Sequence, residues 1–177
     1  MPLSLFQRPG LFSRTFLMFL VLFIISGPLT AFDASADDDD DEKPVSLSWK
    51  GKLKFGTVAS DINAPGTVII DAVANSRSIT GAAFDFGGTW RRGKFQIKGE
   101  KKAYVNVTLP SSIVMQNPSG AYSITVTNLH MNLTNPIRLS NKGKKTVYVG
   151  GTLNISINQK PRTYKDIGTL VIHAEYL

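Results

Sequence analysis

The stretch TVYVGGTLNISIN, Thr146 to Asn158, alternates residue by residue for thirteen positions. Val147, Val149, Gly151, Leu153, Ile155 and Ile157 form one row, and Tyr148, Gly150, Thr152, Asn154, Ser156 and Asn158 form the other. Successive side chains leave a pleated strand on opposite faces, so a period of two with one apolar row marks a half-buried antiparallel strand; a helical period of 3.6 fits none of it. Gly150-Gly151 falls in the middle of this strand, where glycine marks a bulge, a bend or the close approach of another backbone. A kink is expected there.

Outward from this strand the same pattern recurs in shorter pieces. Val45, Leu47 and Trp49, then Leu53 and Phe55, share one face across Gly51, opposite Ser46, Ser48, Lys50, Lys52 and Lys54. Further strands are predicted at Thr67 to Val73, Ala82 to Phe86, Lys94 to Lys98, Ala103 to Leu109, Ala121 to Thr127 and Gly168 to Tyr176. Between them lie the turn formers Asn63-Ala64-Pro65-Gly66, Gly87-Gly88, Asn117-Pro118-Ser119-Gly120 and Asn141-Lys142-Gly143. No helical period appears, and there is no internal repeat or second domain. Many short strands separated by Gly, Pro and Asn predict an all-β chain, an immunoglobulin-like antiparallel β-sandwich of two packed sheets.

The N-terminal end reads differently. Phe16 to Ile25 is an unbroken apolar run of ten, preceded by Arg8 and Arg14 and ended by Gly27-Pro28. A helix crossing a bilayer needs about 20 residues, so this run is short for a span. Its flanking charge, apolar centre and small-residue exit match a secretory signal. Ala34-Ser35-Ala36 favours cleavage after Ala36, and Ala31 is the alternative. The expected organisation is a signal peptide over 1–36, an acidic leader over 37–44 and a β-sandwich over 45–177. The destination is then the periplasm, the outer cell surface or the extracellular space, with no stable transmembrane anchor after cleavage. An uncleaved signal anchor is the competing reading.

Cleavage after Ala36 leaves 141 of the 177 residues, and a domain of roughly 150 residues buries about 68–70% of its unfolded surface. The chain has no cysteine, so its stability comes from that core alone. Charge is unevenly placed. Asp37 to Glu42 is six acids in a row, whereas from Lys43 onward 18 Lys and Arg face six Asp and Glu, a difference of +12 hidden within the whole-chain +7. An acidic leader on a basic body can fold back, meet a neighbouring copy or remain a solvated tail.

Residue content argues against an enzyme. His130 and His173 are the only histidines, and His173 lies in a predicted strand between Ile172 and Ala174, the setting of a structural histidine. Two histidines without cysteine or an H-E-x-x-H pairing do not assemble a zinc site. There is no G-x-S-x-G elbow, and Asn141 to Thr146 lacks the spacing of a phosphate-wrapping loop. Asp37 to Asp41 lacks the glycine and closing glutamate of a calcium loop. No catalytic, cofactor-binding or metal-ligating residue is therefore assigned, and no cofactor is expected. Nucleic acid is not an expected partner, since no recognised motif accompanies the basic charge. Three Asn-x-Ser/Thr triplets, at Asn106, Asn132 and Asn154, would be glycosylation candidates in a eukaryotic secretory route and chance products of an Asn/Thr-rich strand composition in a bacterial one.

Leu53-Lys54-Phe55-Gly56-Thr57, Pro65-Gly66-Thr67-Val68, Ile79-Thr80-Gly81-Ala82-Ala83-Phe84, Val149-Gly150-Gly151-Thr152-Leu153 and a closing Tyr176 follow one another in an order that resembles the bacterial domain-of-unknown-function family 4402. The resemblance covers about residues 45 to 177. It implies a small exported β-sandwich, similar in layout to fimbrial subunits, and no agreed biochemical activity. One departure is visible: the tight Tyr-x-Gly turn before the family's last strand is here two residues longer, with Lys165-Asp166-Ile167 between Tyr164 and Gly168.

Two functional expectations follow. The first is a surface structural or adhesive protein, a fimbria-like subunit forming a homo-polymer or joining other surface subunits by strand complementation. Its assembly residues would be Val45, Leu47 and Trp49 at the start and Leu170, Ile172, Ala174 and Tyr176 along one face of the last strand. The competing reading, favoured because the strands suffice to close a sandwich unaided, is that the starting segment is the domain's own first strand. The second expectation is a monomeric module for a polyanion such as an anionic glycan or lipopolysaccharide. Lys50, Lys52 and Lys54 would form its stripe, joined by Arg91-Arg92, Lys101-Lys102 and Lys142, Lys144 and Lys145.

Overall fold

The computed structural model describes residues 42–166 and 168–177, and every regular element among them is a strand. The first half contains β1 (Ser46–Gly51), β2 (Lys54–Phe55), β3 (Thr57–Ser60), β4 (Gly66–Asp71), β5 (Ser76–Gly81), β6 (Ala83–Asp85), β7 (Trp90–Arg91) and β8 (Gly93–Lys98). The second half contains β9 (Tyr104–Thr108), β10 (Ser112–Gln116), β11 (Ser123–Met131), β12 (Ile137–Arg138), β13 (Lys144–Ile155), β14 (Arg162–Thr163), β15 (Lys165–Asp166) and β16 (His173–Tyr176). The predicted signal peptide and residues 37–41 of the acidic leader lie outside the described residues.

All pairings are antiparallel. The main sheet runs β1-β8-β13-β11-β10-β15, and β4 joins β13 and carries β5. Two small sheets, β12-β9-β16 and β14-β3-β6, supply the facing layer, and β2 pairs with β7. This is the antiparallel β-sandwich that the alternation predicts.

β13 is the strand on which both halves depend. Val147, Val149, Leu153 and Ile155 are all buried, as the odd-numbered row requires. Val147 and Val149 pack with Phe95, Ile97, Val105, Val107, Ile137 and Leu139 in one core cluster. Leu153 and Ile155 pack with Val68, Ile70, Ile113, Met115, Val126 and others in a second. The row ends earlier than predicted: β13 stops at Ile155, and Ile157 is 54% exposed.

The expected kink at Gly150-Gly151 is where β13 changes partner. Lys144 to Val149 pair with β8, while Gly151 to Ile155 pair with β4. β11 lies alongside and shifts register between Thr127 and His130, opposite the glycines. A Cβ at Gly150 would lie 2.1 Å from the Ile70 carbonyl oxygen and 2.7 Å from the Ala72 nitrogen. One at Gly151 would lie 2.9 Å from a methyl of Val126. Glycine is needed there because backbone fills the space of a side chain.

Elsewhere side-chain amides extend the ladders. Asn135 accepts from Val107 N at 3.0 Å and donates to Val107 O at 2.8 Å, standing in for a backbone partner just beyond the Ile137–Val105 pair. Asn117 organises the β10–β11 turn, accepting from Tyr122 N at 2.9 Å and donating to Ser119 Oγ at 2.6 Å. Asn132 accepts from Tyr148 N, and Asn154 donates to Thr127 Oγ1.

Two predicted elements need correction. The last strand begins at His173, so Leu170 shares neither its face nor its core: Leu170 is buried in the second cluster, whereas Ala174 and Tyr176 pack on the first, and Ile172 touches both. The chain bends between them, with Val171 N donating to Thr169 O at 3.0 Å. The first segment is likewise not one strand. Its register shifts between Trp49 and Gly51, and Phe55 pairs in a separate ribbon with Trp90.

Gly150→Ala is expected to lower unfolding free energy by about 3 kcal/mol or more, since the clash is with backbone rather than a movable side chain. Ser156→Ala, at an exposed position past the strand end, should change it by less than about 0.5 kcal/mol. Urea unfolding of the two variants beside the parent checks both.

Candidate functional site

The candidate features are the sheet edges formed by β1 and β16 and a basic groove. β1 ends the main sheet and β16 ends the β12-β9-β16 sheet. β1 matches Ser46, Leu47, Ser48 and Trp49 to Lys98, Ile97, Gln96 and Phe95 of β8. Val45 and Leu47 cover the first cluster without being fully buried, and Trp49 stays 42% exposed with its ring edge-on to Phe95 at 5.7 Å between centroids. The eight fully buried residues of that cluster all belong to other parts of the chain.

A ring of three hydrogen bonds joins the two edges. Glu100 N donates to Tyr176 Oη at 2.6 Å, the Tyr176 hydroxyl donates to the Lys43 carbonyl, and Lys43 N donates to Glu100 Oε1 at 2.6 Å. Gly99 makes room for this, because a Cβ there would lie 2.5 Å from Tyr176 Oη. Of the expected assembly residues, Val45, Leu47, Ala174 and Tyr176 thus meet around one cluster and Trp49 packs beside it, while Leu170 stands apart.

The groove is built where β1 gives way to β2. A hollow of ≈ 500 Å³ is walled by Lys52, Lys54, Arg91 and Lys165, with Gly56 and Gly88 beside Tyr164. Cross-strand pairing of Lys54 with Arg91 brings two of these cations together. Arg91 Nε donates to Lys52 O at 3.0 Å, which ties the guanidinium to the β1–β2 connection. Arg91 also lines a neighbouring hollow with Lys50, Arg92, Lys94 and Tyr148. There Arg92 donates to Ala72 O at 2.6 Å and lies 4.0 Å over the Tyr148 ring, a cation–π arrangement. The predicted lysine stripe is therefore divided, Lys50 on one side of Arg91 and Lys52 with Lys54 on the other. Lys144 pairs with Lys98 at the far end of β8, and neither it nor Lys101, Lys102, Lys142 or Lys145 lines these hollows. Lys94 and Lys165 were not legible as members, since each arrives from a separate segment.

The wall is held by an ion pair. Arg77 Nη1 lies 2.6 Å from Asp85 Oδ2, the arginine side chain almost wholly buried and the aspartate largely exposed. Asp85 Oδ1 also accepts from Gly87 N at 2.9 Å, and Thr57 N donates to Gly87 O at 2.8 Å. Gly56, at φ +86°, fits against the Arg77 guanidinium, whose Nη2 would be 3.3 Å from a Cβ. This hydrogen-bonded arginine, and then the Gly87 amide, hold the Asp85 carboxyl below its ordinary value. Burial pushes the Tyr164 phenol up, so the groove's aromatic hydroxyl is neutral, and Gln159 Nε2 donates to it.

The histidines lie elsewhere. Ala72 N donates to His130 Nε2 at 3.1 Å, so the ring proton sits on Nδ1, facing Asn128 O at 3.0 Å. His173 is exposed on β16 rather than enclosed. Among the described residues no group of three His, Asp or Glu could hold a metal ion, and no helix is long and apolar enough to cross a membrane.

The chain belongs to the family described as "Domain of unknown function (DUF4402)", whose model matches residues 45–176. No curated protein and no solved structure matches it. Within the matched span, Gly56 lies against Arg77, Gly150-Gly151 stand at the partner change and Tyr176 closes the three-bond ring.

Because the Asp85 carboxyl binds its proton more weakly in the folded chain than in the unfolded one, its contribution is complete at neutral pH. That contribution is lost as pH falls from about 4 through the lower folded-state value. Asp85→Asn is expected to be less stable than the parent at pH 7, with the difference shrinking below about pH 4. Acid-unfolding curves of the two proteins test this; a gap that stays constant with pH would contradict it.

Proposed function

We propose that this chain is an exported structural or adhesive protein of the periplasm or cell surface, whose copies associate by exchanging β1. What carries the reading is that β1 covers the first core cluster without supplying any of its fully buried residues. It is held by β8 on one side only, and β1 and β16 end their sheets around that same cluster. A strand in this position can be replaced by the same strand of a neighbour, since the ladder to β8 and the seat for Val45 and Leu47 are identical in every copy. Gly51 and Lys52 supply the hinge, between the β1 ladder and the anchoring Leu53, which is buried in the other cluster. The signal-like N-terminal run supports export.

The lysines beside this edge bear on how copies meet. Charged edge residues discourage one sheet from simply adding to another. Exchange avoids that contact, because the incoming β1 takes the place along β8 that the resident β1 has left. Main-chain hydrogen bonds supply most of the affinity, and the seats of alternate side chains fix the register.

Deleting residues 37–50 is the deciding experiment. The shortened protein is expected to remain folded by circular dichroism and to accept a synthetic peptide of residues 43–51. The parent exported with its signal should give a heat-sensitive ladder on unboiled denaturing gels and filaments by electron microscopy. Loss of all cooperative unfolding in the deletion, together with a sharp monomer for the parent, would overturn the reading. Tyr176→Phe removes the hydroxyl that clasps Lys43. Closed and exchanged forms make the same clasp, so it should speed subunit exchange between labelled copies several-fold while leaving the ratio of assembled to free chain unchanged.

A further inference from the structure

We propose that the groove beneath the β1–β2 connection is a binding site for an acidic polysaccharide, to which β1, resident or exchanged, contributes Lys50 and Trp49. Three hollows adjoin one another through shared wall residues. The central one, ≈ 500 Å³, shares Arg91 with the Lys50, Arg92 and Lys94 hollow of ≈ 220 Å³. It shares Lys52, Leu53 and Asp166 with a third of ≈ 210 Å³, to which Trp49 is added.

Seven cationic side chains line these hollows against one acid, Asp166. That carboxylate is already engaged as a local cap: its Oδ1 accepts from Thr169 N at 3.0 Å, Thr169 Oγ1 at 3.1 Å and Leu170 N at 3.3 Å. Among the described residues the ion pair between charged side chains is Arg77–Asp85, so none of the seven groove cations has a carboxylate partner among those residues. Like charges brought together on one surface repel, and a polyanion laid along them removes that repulsion while gaining attraction.

The shape selects the class of anion. A single small anion is bound best where donors converge in an enclosed pocket, but here the cations are spread over adjoining open hollows, a distribution that matches a chain bearing repeated charges. Two of them are fixed in advance, Arg91 through its Nε bond to Lys52 O and Arg92 between Ala72 O and Tyr148, so less conformational freedom is lost on binding. At the other end Trp49 leaves 42% of its surface open, an apolar ring face suited to the C–H face of a sugar.

The probe is polygalacturonate, a linear polyuronate, titrated calorimetrically into the protein purified after export. Binding is expected to weaken by about tenfold or more between about 50 and 500 mM NaCl. Lys54→Gln with Lys165→Gln, two exposed side chains that make no hydrogen bond or ion pair in the described residues, should weaken it by about tenfold at low salt, with the unfolding midpoint unchanged. Lys101→Gln with Lys102→Gln removes the same charge outside the groove and should leave affinity within about twofold. Equal losses from the two pairs would overturn the proposal in favour of diffuse charge. So would binding of uncharged dextran at the same strength, full competition by millimolar inorganic phosphate, or tighter binding of single-stranded DNA than of polyuronate.

Discussion

One strand serving two cores is the constraint from which the rest of this structure follows. Val147 and Val149 close the cluster shared with β8, β9 and β12, and Leu153 and Ile155 close the cluster shared with β4, β10 and β11. Burial of each such side chain contributes roughly 1.5–3 kcal/mol, so neither half can be released without a large fraction of a domain's net stability. Between them the strand must leave β8 and take up β4, and the incoming backbone at Ile70 and Ala72 occupies the volume of a side chain. Gly150-Gly151 is the chemical answer to that geometry.

The facing layer is divided to match. β12-β9-β16 covers one cluster and β14-β3-β6 lies over the other, and the segment from Val45 to Phe55 passes from the first to the second. Its crossing point at Gly51 and Lys52 is where both candidate functions originate. On one side it leaves a strand held by a single ladder; on the other it carries Lys52 and Lys54 to Arg91. Edge and groove are thus two consequences of one connection, although one is a matter of main-chain pairing and the other of unneutralised charge.

Much of this was legible in the sequence because alternation reports burial directly. β13, β4, β8 and β9 lie where their apolar rows place them, and the twin glycines mark the partner change. β5 was not legible, since Ser76 to Gly81 has one aliphatic residue, Ile79, and its other inward side chain, almost wholly buried, is that of Arg77, whose charge is met by Asp85 from β6. Leu170 continued the alternation of the last strand on paper, but the Asp166 cap and the bend at Thr169 send it into a different core. Of the groove, Lys50, Lys52, Lys54, Arg91 and Arg92 could be named from local runs. Lys94 and Lys165 could not, because only the fold brings β8 and β15 to that wall.

The shared-strand account is tested most directly by native-state hydrogen exchange along β13. The amides hydrogen-bonded on either side of Gly150-Gly151 are expected to be among the slowest in the protein and to exchange with the same free energy, equal to that of global unfolding. If the Lys144 to Val149 half opened at a much lower free energy than the Thr152 to Ile155 half, the two clusters would be separate folding units, and the central role given to this strand would be wrong.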